Sequence, residues 1–243
     1  NGWNVANRFT KEEDIAHYLE YVRFIVTHFK GRVQYYELWN EPNIQFPLQY
    51  IKPGDYINLA KQTIPMIKEI DPQAKVVIGC TSSTANPQSK DYLFNLLNSD
   101  LMPIADVVSW HPFFGIVPDS GKYPDYYASY PSLLESIMDT AKHNGFQGEF
   151  VAGEISYGVD SCGGCDVIDP SYSDALWAKY TARAIILHLG KDVTAGVGGL
   201  SSARPFHYKT IQAIDNVFAG MHVDVLNVNV QTSSNNYKVF TFA

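Results

Sequence analysis

The stretch YYELWNEPN, residues 35–43, decides how the rest of the chain is read. Strand-forming aromatics run into Asn40-Glu41-Pro42, and Pro42 cannot donate to a sheet ladder. A strand ending in an acid and a proline is either a plain turn or a device that delivers Glu41 to the mouth of a site. The elements on either side choose between the two.

Upstream, Thr10-Lys11-Glu12-Glu13 fits a capping box, in which the Thr10 hydroxyl and the Glu13 carboxylate satisfy free backbone N–H groups reciprocally. Ile15, Leu19, Val22, Ile25 and Phe29 then recur at helical spacing, and Gly31 can stop the helix. Residues 32–40 form the next strand. Downstream, helices are expected over 54–70, 90–98, 131–144, 172–189 and about 208–219. Between them lie short apolar strands over 74–80, 106–111, 149–155 and 193–200. Strands alternating with amphipathic helices specify βαβ units and a parallel sheet. The end differs: 222–230 and 237–242 alternate apolar and polar residues around Ser-Ser-Asn-Asn, the signature of an antiparallel hairpin. The expected division is therefore a (β/α) region over 1–220 and an antiparallel β element over 221–243, an edge ribbon or the start of an accessory β domain.

With 243 residues, 46% of them hydrophobic, the chain can bury a substantial core. Lys and Arg total 18 against 25 Asp and Glu, a formal charge of −7, which argues against nucleic acid as a partner. No apolar run reaches the roughly 20 residues that span a bilayer, so no membrane partner is expected. No secretory leader and no glycosylation sequon are visible; a secreted or extracellular location is the expectation, with no signal to fix it. The aromatic load of 16 Tyr, 13 Phe and 4 Trp suits stacking on sugars, although most such rings serve the core. Cys162-Gly-Gly-Cys165 lacks a second ligand pair for zinc and lies in a Gly- and Asp-rich loop with Asp160 and Asp166. A local disulfide or two plain thiols are expected rather than metal or redox chemistry, and no cofactor or metal is called for.

Three strands end in reactive groups: Asn40-Glu41, His111 and Glu154. In a parallel α/β barrel all strand C-termini open on one face, where catalytic groups gather. Two carboxylates on separate strands suit glycoside hydrolysis, one protonating the leaving oxygen and the other attacking the sugar or activating water. Glu37 is excluded as the partner of Glu41. Four residues along one strand put it about 13 Å away, whereas retaining enzymes need their carboxyls about 5–5.5 Å apart and inverting ones about 6.5–9.5 Å. Equal parity puts Glu37 on the barrel-facing side as a buried polar residue in need of partners.

Trp39-Asn40-Glu41-Pro42 resembles the motif that ends the fourth strand in the large clan of retaining (β/α)8 glycoside hydrolases. Phe150-Val151-Ala152-Gly153-Glu154 occupies the place of the clan's seventh strand, and Ser109-Trp110-His111-Pro112-Phe113 is similar to the His-Pro-aromatic end of its sixth. The resemblance implies a TIM-type (β/α)8 barrel acting on an oligosaccharide or polysaccharide. Glu41 would be its general acid/base and Glu154 its nucleophile, with Asn40 on the sugar 2-hydroxyl. His111 would orient Glu154 or a sugar hydroxyl, Trp39, Trp110 and Phe113 could stack on sugar, and Tyr157 could hydrogen-bond the nucleophile. Each aromatic has core packing as its alternative role. By the clan's count the barrel is incomplete, since only strands four to eight are recognisable. The balance favours a fragment of a longer hydrolase; a second chain or a neighbouring copy completing the barrel is the other expectation.

Overall fold

The computed structural model describes residues 8–45, 49–114, 125–157, 173–198, 205–234 and 237–243. Cys162, Cys165, Asp160 and Asp166 lie outside them. The elements alternate: α1 (Glu12–Phe29), β1 (Tyr35–Glu37), α2 (Pro53–Ile70), β2 (Lys75–Thr81), α3 (Pro87–Leu97), β3 (Val107–Trp110), β4 (Phe113–Phe114), α4 (Tyr126–His143), β5 (Glu149–Ser156), α5 (Asp174–Leu189), β6 (Val193–Val197) and α6 (Pro205–Phe218). The described residues form two compact units. The first takes those up to 112 together with 125–151, and the second takes 113–114 with those from 152 onward.

In the first unit β2 is central. Every residue of it after Lys75 is buried, as the near-continuous apolar run Val76–Cys80 requires of a parallel strand covered on both faces. β1 pairs with it in parallel, Tyr35 opposite Lys75 and Glu37 opposite Val77, and β3 pairs on its other side, Val77 opposite Val107. The first residues of β5 follow β3, the Glu149 N–H donating to the Asp106 carbonyl at 2.9 Å. Val77, Cys80 and Val107 pack as one cluster with Val151 against it. α1 turns Ile15, Val22 and Val26 inward, and α2 turns in Tyr56, Leu59, Ile64 and Ile67. At the strand starts Asp106 pairs with Lys68 at 2.7 Å and accepts the Val76 N–H at 2.9 Å, tying helix to sheet.

β2 carries an irregularity between Gly79 and Thr81. Gly79 has φ +90°, and a Cβ there would sit 2.5 Å from the Ser109 carbonyl oxygen, so only glycine fits. Cys80 follows at φ +46°. The Gly79 N–H is taken by the hydroxyl of Tyr56 at 3.0 Å, and the burial of that phenol pushes its pKa well above the ordinary value.

In the second unit β5 is flanked by β4, in parallel with Phe113 opposite Ile155, and by β6. α5 buries Trp177, Thr181, Ala184, Ile185 and His188, and the ring of His207 from α6 stacks on Trp177 at 3.8 Å.

Four expectations need correction. The Thr10 capping box does not form: α1 begins after Lys11, whose side chain makes no capping bond, and the Lys11 carbonyl takes the first helical N–H groups. Glu37 is exposed, because among the described residues β1 pairs with β2 alone. The two-residue β4 is an additional strand. Among the described residues the C-terminal hairpin shrinks to an antiparallel bridge between Val223 and Phe242, with His222 and Ala243 exchanging N–H···O bonds on one side and the Asp224 N–H donating to the Thr241 carbonyl at 2.9 Å on the other. Between the paired residues Phe240 packs against Gly190, but Val225, Leu226, Val228 and Val230 stay exposed, Val225 at 94%. Alternation without a face to bury it specifies no strand. Among the described residues no helix is long and apolar enough to cross a membrane.

Candidate active site

Glu41 reaches its position because the pairing of β1 continues past Glu37. The Leu38 N–H donates to the Val77 carbonyl at 3.2 Å and the Glu41 N–H to the Cys80 carbonyl at 2.9 Å. On the other flank of β2 the His111 N–H donates to the Thr81 carbonyl at 2.8 Å. The bulge thus offers two consecutive carbonyls, one to each neighbouring strand end, and Glu41 and His111 hang from them. Their side chains meet: His111 Nδ1 lies 3.0 Å from Glu41 Oε1, with 2% of the imidazole and 13% of the carboxylate side chain exposed. The contact brings a carboxylate reachable from solvent against a buried imidazole, an arrangement able to hold and relay a proton.

Glu41 itself has φ +48°, a left-handed conformation uncommon for a residue with a side chain and worth of order 1–3 kcal/mol of strain. The surrounding bonds hold it there. The Ile44 N–H donates to the Glu41 carbonyl at 3.1 Å and the Ile51 N–H to the Pro42 carbonyl at 2.9 Å. The Gln49 amide donates to the Asn40 carbonyl at 3.3 Å, while the Gln49 carbonyl accepts the Trp39 indole N–H at 3.1 Å.

The other expected residues divide. Asn40 is exposed beside Glu41. Trp39 is half-buried, its ring edge-on to Phe9 at 5.6 Å with the Arg8 guanidinium over it. Trp110 is fully buried, donates its indole N–H to Tyr130 at 3.0 Å and packs against Phe150, which is a core role. In the second unit Glu154 is half-buried on β5, two residues before the strand ends. Phe113 and Tyr157 are buried and stack on each other at 5.7 Å.

The sequence reading missed Gln49, Tyr56, Ser82 and Ser89, all of which shape the first unit's strand ends. No local signal marks them, because their contacts with the Glu41 turn and the β2 bulge form across the fold. Asn43 was within reach, being the last residue of the opening motif.

No family model matches the chain. It is 34% identical over 102 residues to endo-1,4-beta-xylanase A of Thermotoga neapolitana, an overlap covering 39% of this chain and 9% of that enzyme. Among solved structures it is similar to a family 39 glycoside hydrolase of Bacteroides cellulosilyticus WH2, with TM-score 0.63 and 18% identity over 95% of this chain and 50% of the other. Xylanase 10B of Thermotoga maritima gives TM-score 0.55 and 16% identity over 89% and 69%. The family 44 xyloglucanase of Paenibacillus polymyxa gives 0.56 and 10% over 80% and 49%. The chain thus spans about half the length of two of these structures and a small part of the curated xylanase. Within that span it has the α/β fold of TIM-barrel glycoside hydrolases.

Proposed function

We propose that the chain is part of a retaining glycoside hydrolase that cleaves β-linked polysaccharide or its oligosaccharides by double displacement. The observation that carries this reading is the Glu41–His111 pair at adjacent strand ends, with the acid held at φ +48°. The names of the similar proteins, xylanases and a xyloglucanase, point to plant cell-wall glycans as the substrate class.

In this mechanism Glu154, ionised, attacks the anomeric carbon while Glu41, protonated, donates to the departing oxygen. Glu41 then takes a proton from water, which opens the glycosyl-enzyme with net retention. Asn40 grips the sugar 2-hydroxyl more strongly at the transition state. His111 fixes the rotamer of Glu41 and offers it a route for the proton. Trp39 is the aromatic placed to meet sugar, while Trp110, Phe113 and Tyr157 support the strand ends from within.

A second reading is a non-catalytic carbohydrate-binding fragment or pseudoenzyme of the same fold. A panel of aryl β-xylosides and β-glucosides, assayed over a range of protein concentrations, separates the two. Turnover supports the hydrolase, and turnover rising more than linearly with concentration supports completion by a second copy. Sugar binding without turnover supports the binding fragment. With turnover in hand, Glu154→Ala should abolish it and azide should restore some as the inverted glycosyl azide. The same inverted product from Glu41→Ala instead would exchange the two roles.

A further inference from the structure

We propose that Asn43 is a positioning residue for Glu41: it clamps the turn that carries the acid onto the turn that follows β2. The inference rests on the acid/base reading of Glu41 and deepens it.

The Asn43 amide is almost fully engaged. Its Oδ1 accepts the Ser82 N–H at 2.9 Å, and its Nδ2 donates to the Ser82 hydroxyl at 2.7 Å and to the Ser89 hydroxyl at 2.9 Å. The two hydroxyls lie 3.0 Å from each other, closing the network. A primary amide has two donors and an acceptor oxygen, so an amide here can do what neither a hydroxyl nor a carboxylate could. Ser82 directly follows β2, and Ser89, 3% exposed, lies in the first turn of α3. The network therefore ties the residue two places after Glu41 to the strand whose carbonyl holds the Glu41 N–H.

This placement separates a clamp from general loop packing. The backbone of His111 directly follows β3 and hangs from the Thr81 carbonyl, the other end of the peptide group whose N–H Asn43 accepts. The carboxylate of Glu41 meets it only if the Glu41 turn is held at the correct height over β2, and Pro42 leaves that turn few other conformations. Loosening Asn43 lets the turn ride away from β2 and draws the carboxylate off the imidazole. Loosening an ordinary loop contact would cost stability and leave the pair where it is.

The test reads the pair directly, by the imidazole nitrogen and proton resonances of His111 at fixed pH in the whole chain. Glu41→Gln sets the displacement that follows when the carboxylate is gone. Asn43→Ala is expected to displace the His111 resonances in the same direction by more than half as much. Asn43→Asp keeps the acceptor for the Ser82 N–H but loses both donors, and should restore part of the wild-type position. Ser89→Ala, which removes one acceptor and leaves Asn43 in place, should give a smaller displacement and serves if Asn43→Ala does not fold. Asn43→Ala or Ser89→Ala that lowers the melting temperature yet leaves the His111 resonances unmoved would overturn the clamp. Wild-type protein without turnover, whose His111 resonances still move in Asn43→Ala, would overturn the hydrolase and keep the clamp.

Discussion

Two buried histidines sit in different chemistry. His111, at the end of β3, faces the carboxylate of Glu41 at 3.0 Å. His188, in the last turn of α5, donates its Nδ1–H to the Ala184 carbonyl at 2.7 Å and lies edge-on to Phe113. Both are nearly inaccessible, at 2% and 0% exposure, so burial does not distinguish them. What differs is the partner. The first meets a carboxylate that solvent can reach, whereas the second meets a helix carbonyl and a phenyl ring. Burial lowers the His188 pKa to about 4. On the proposed reading one histidine belongs to a site and the other to a core, and four measurements can break or sharpen that division.

The largest effect is expected on activity. Glu41→Gln should cut kcat/KM roughly 10²–10⁴-fold, the range for a lost general acid, with stability changed by less than about 1 kcal/mol. His188→Leu should leave the kinetic constants close to wild type. A collapse of activity in His188→Leu with folding intact would erase the contrast.

The second is a pH dependence of stability. Above about pH 6.5, the ordinary histidine value, folded and unfolded chains both hold neutral imidazole at 188. Between there and about pH 4 the unfolded chain takes a proton that the folded one refuses. Stability should therefore fall with falling pH by up to about 3 kcal/mol through this residue. Urea denaturation at pH 7, 5.5 and 4 should show the loss in wild type and a correspondingly flatter profile in His188→Leu. Parallel profiles in the two proteins would refute the assignment.

The third change, Tyr56→Phe, tests the support beneath the site. It leaves the buried Gly79 N–H without its acceptor, which should cost about 1–3 kcal/mol in denaturation. Because the bulge carries Glu41 and His111, turnover should fall with it.

The smallest effects calibrate the rest. Asn86 caps α3, its side chain accepting the Gln88 N–H at 3.0 Å, so Asn86→Ala should cost about 1 kcal/mol. Thr10→Ala, at a position that caps nothing, should stay within about 0.5 kcal/mol. Equal losses would restore the capping box.

How far the sequence could be read follows from the range of the interactions involved. The helices of the first unit and β2 were legible because burial on one side or both imposes a periodicity on neighbouring residues. Glu41 and His111 stand where an apolar run stops, and the structure sets their side chains against each other, whereas Glu154 lies two residues before β5 ends. The bulge was not legible, although Gly79 hints at it, since a register shift depends on the partner strand 30 residues away. The C-terminal alternation misled for the opposite reason. It has the period of a strand, but strand periodicity acquires energy only from a surface to pack against, and Val225 has none. Glu37 shows the same dependence: parity sets the side on which a residue points, and a neighbouring strand decides whether that side is covered.

The bulge in β2 has a mechanical consequence. Glu41 and His111 are suspended from adjacent carbonyls of one strand, Cys80 and Thr81. Thermal rocking of that strand then carries donor and acceptor together as a common displacement, and their separation is insulated from it. Motions that shear β1 or β3 against β2, or that lift the Glu41 turn from β2, alter the gap. The contact between the two side chains is thereby less exposed to the breathing of the sheet that supports it.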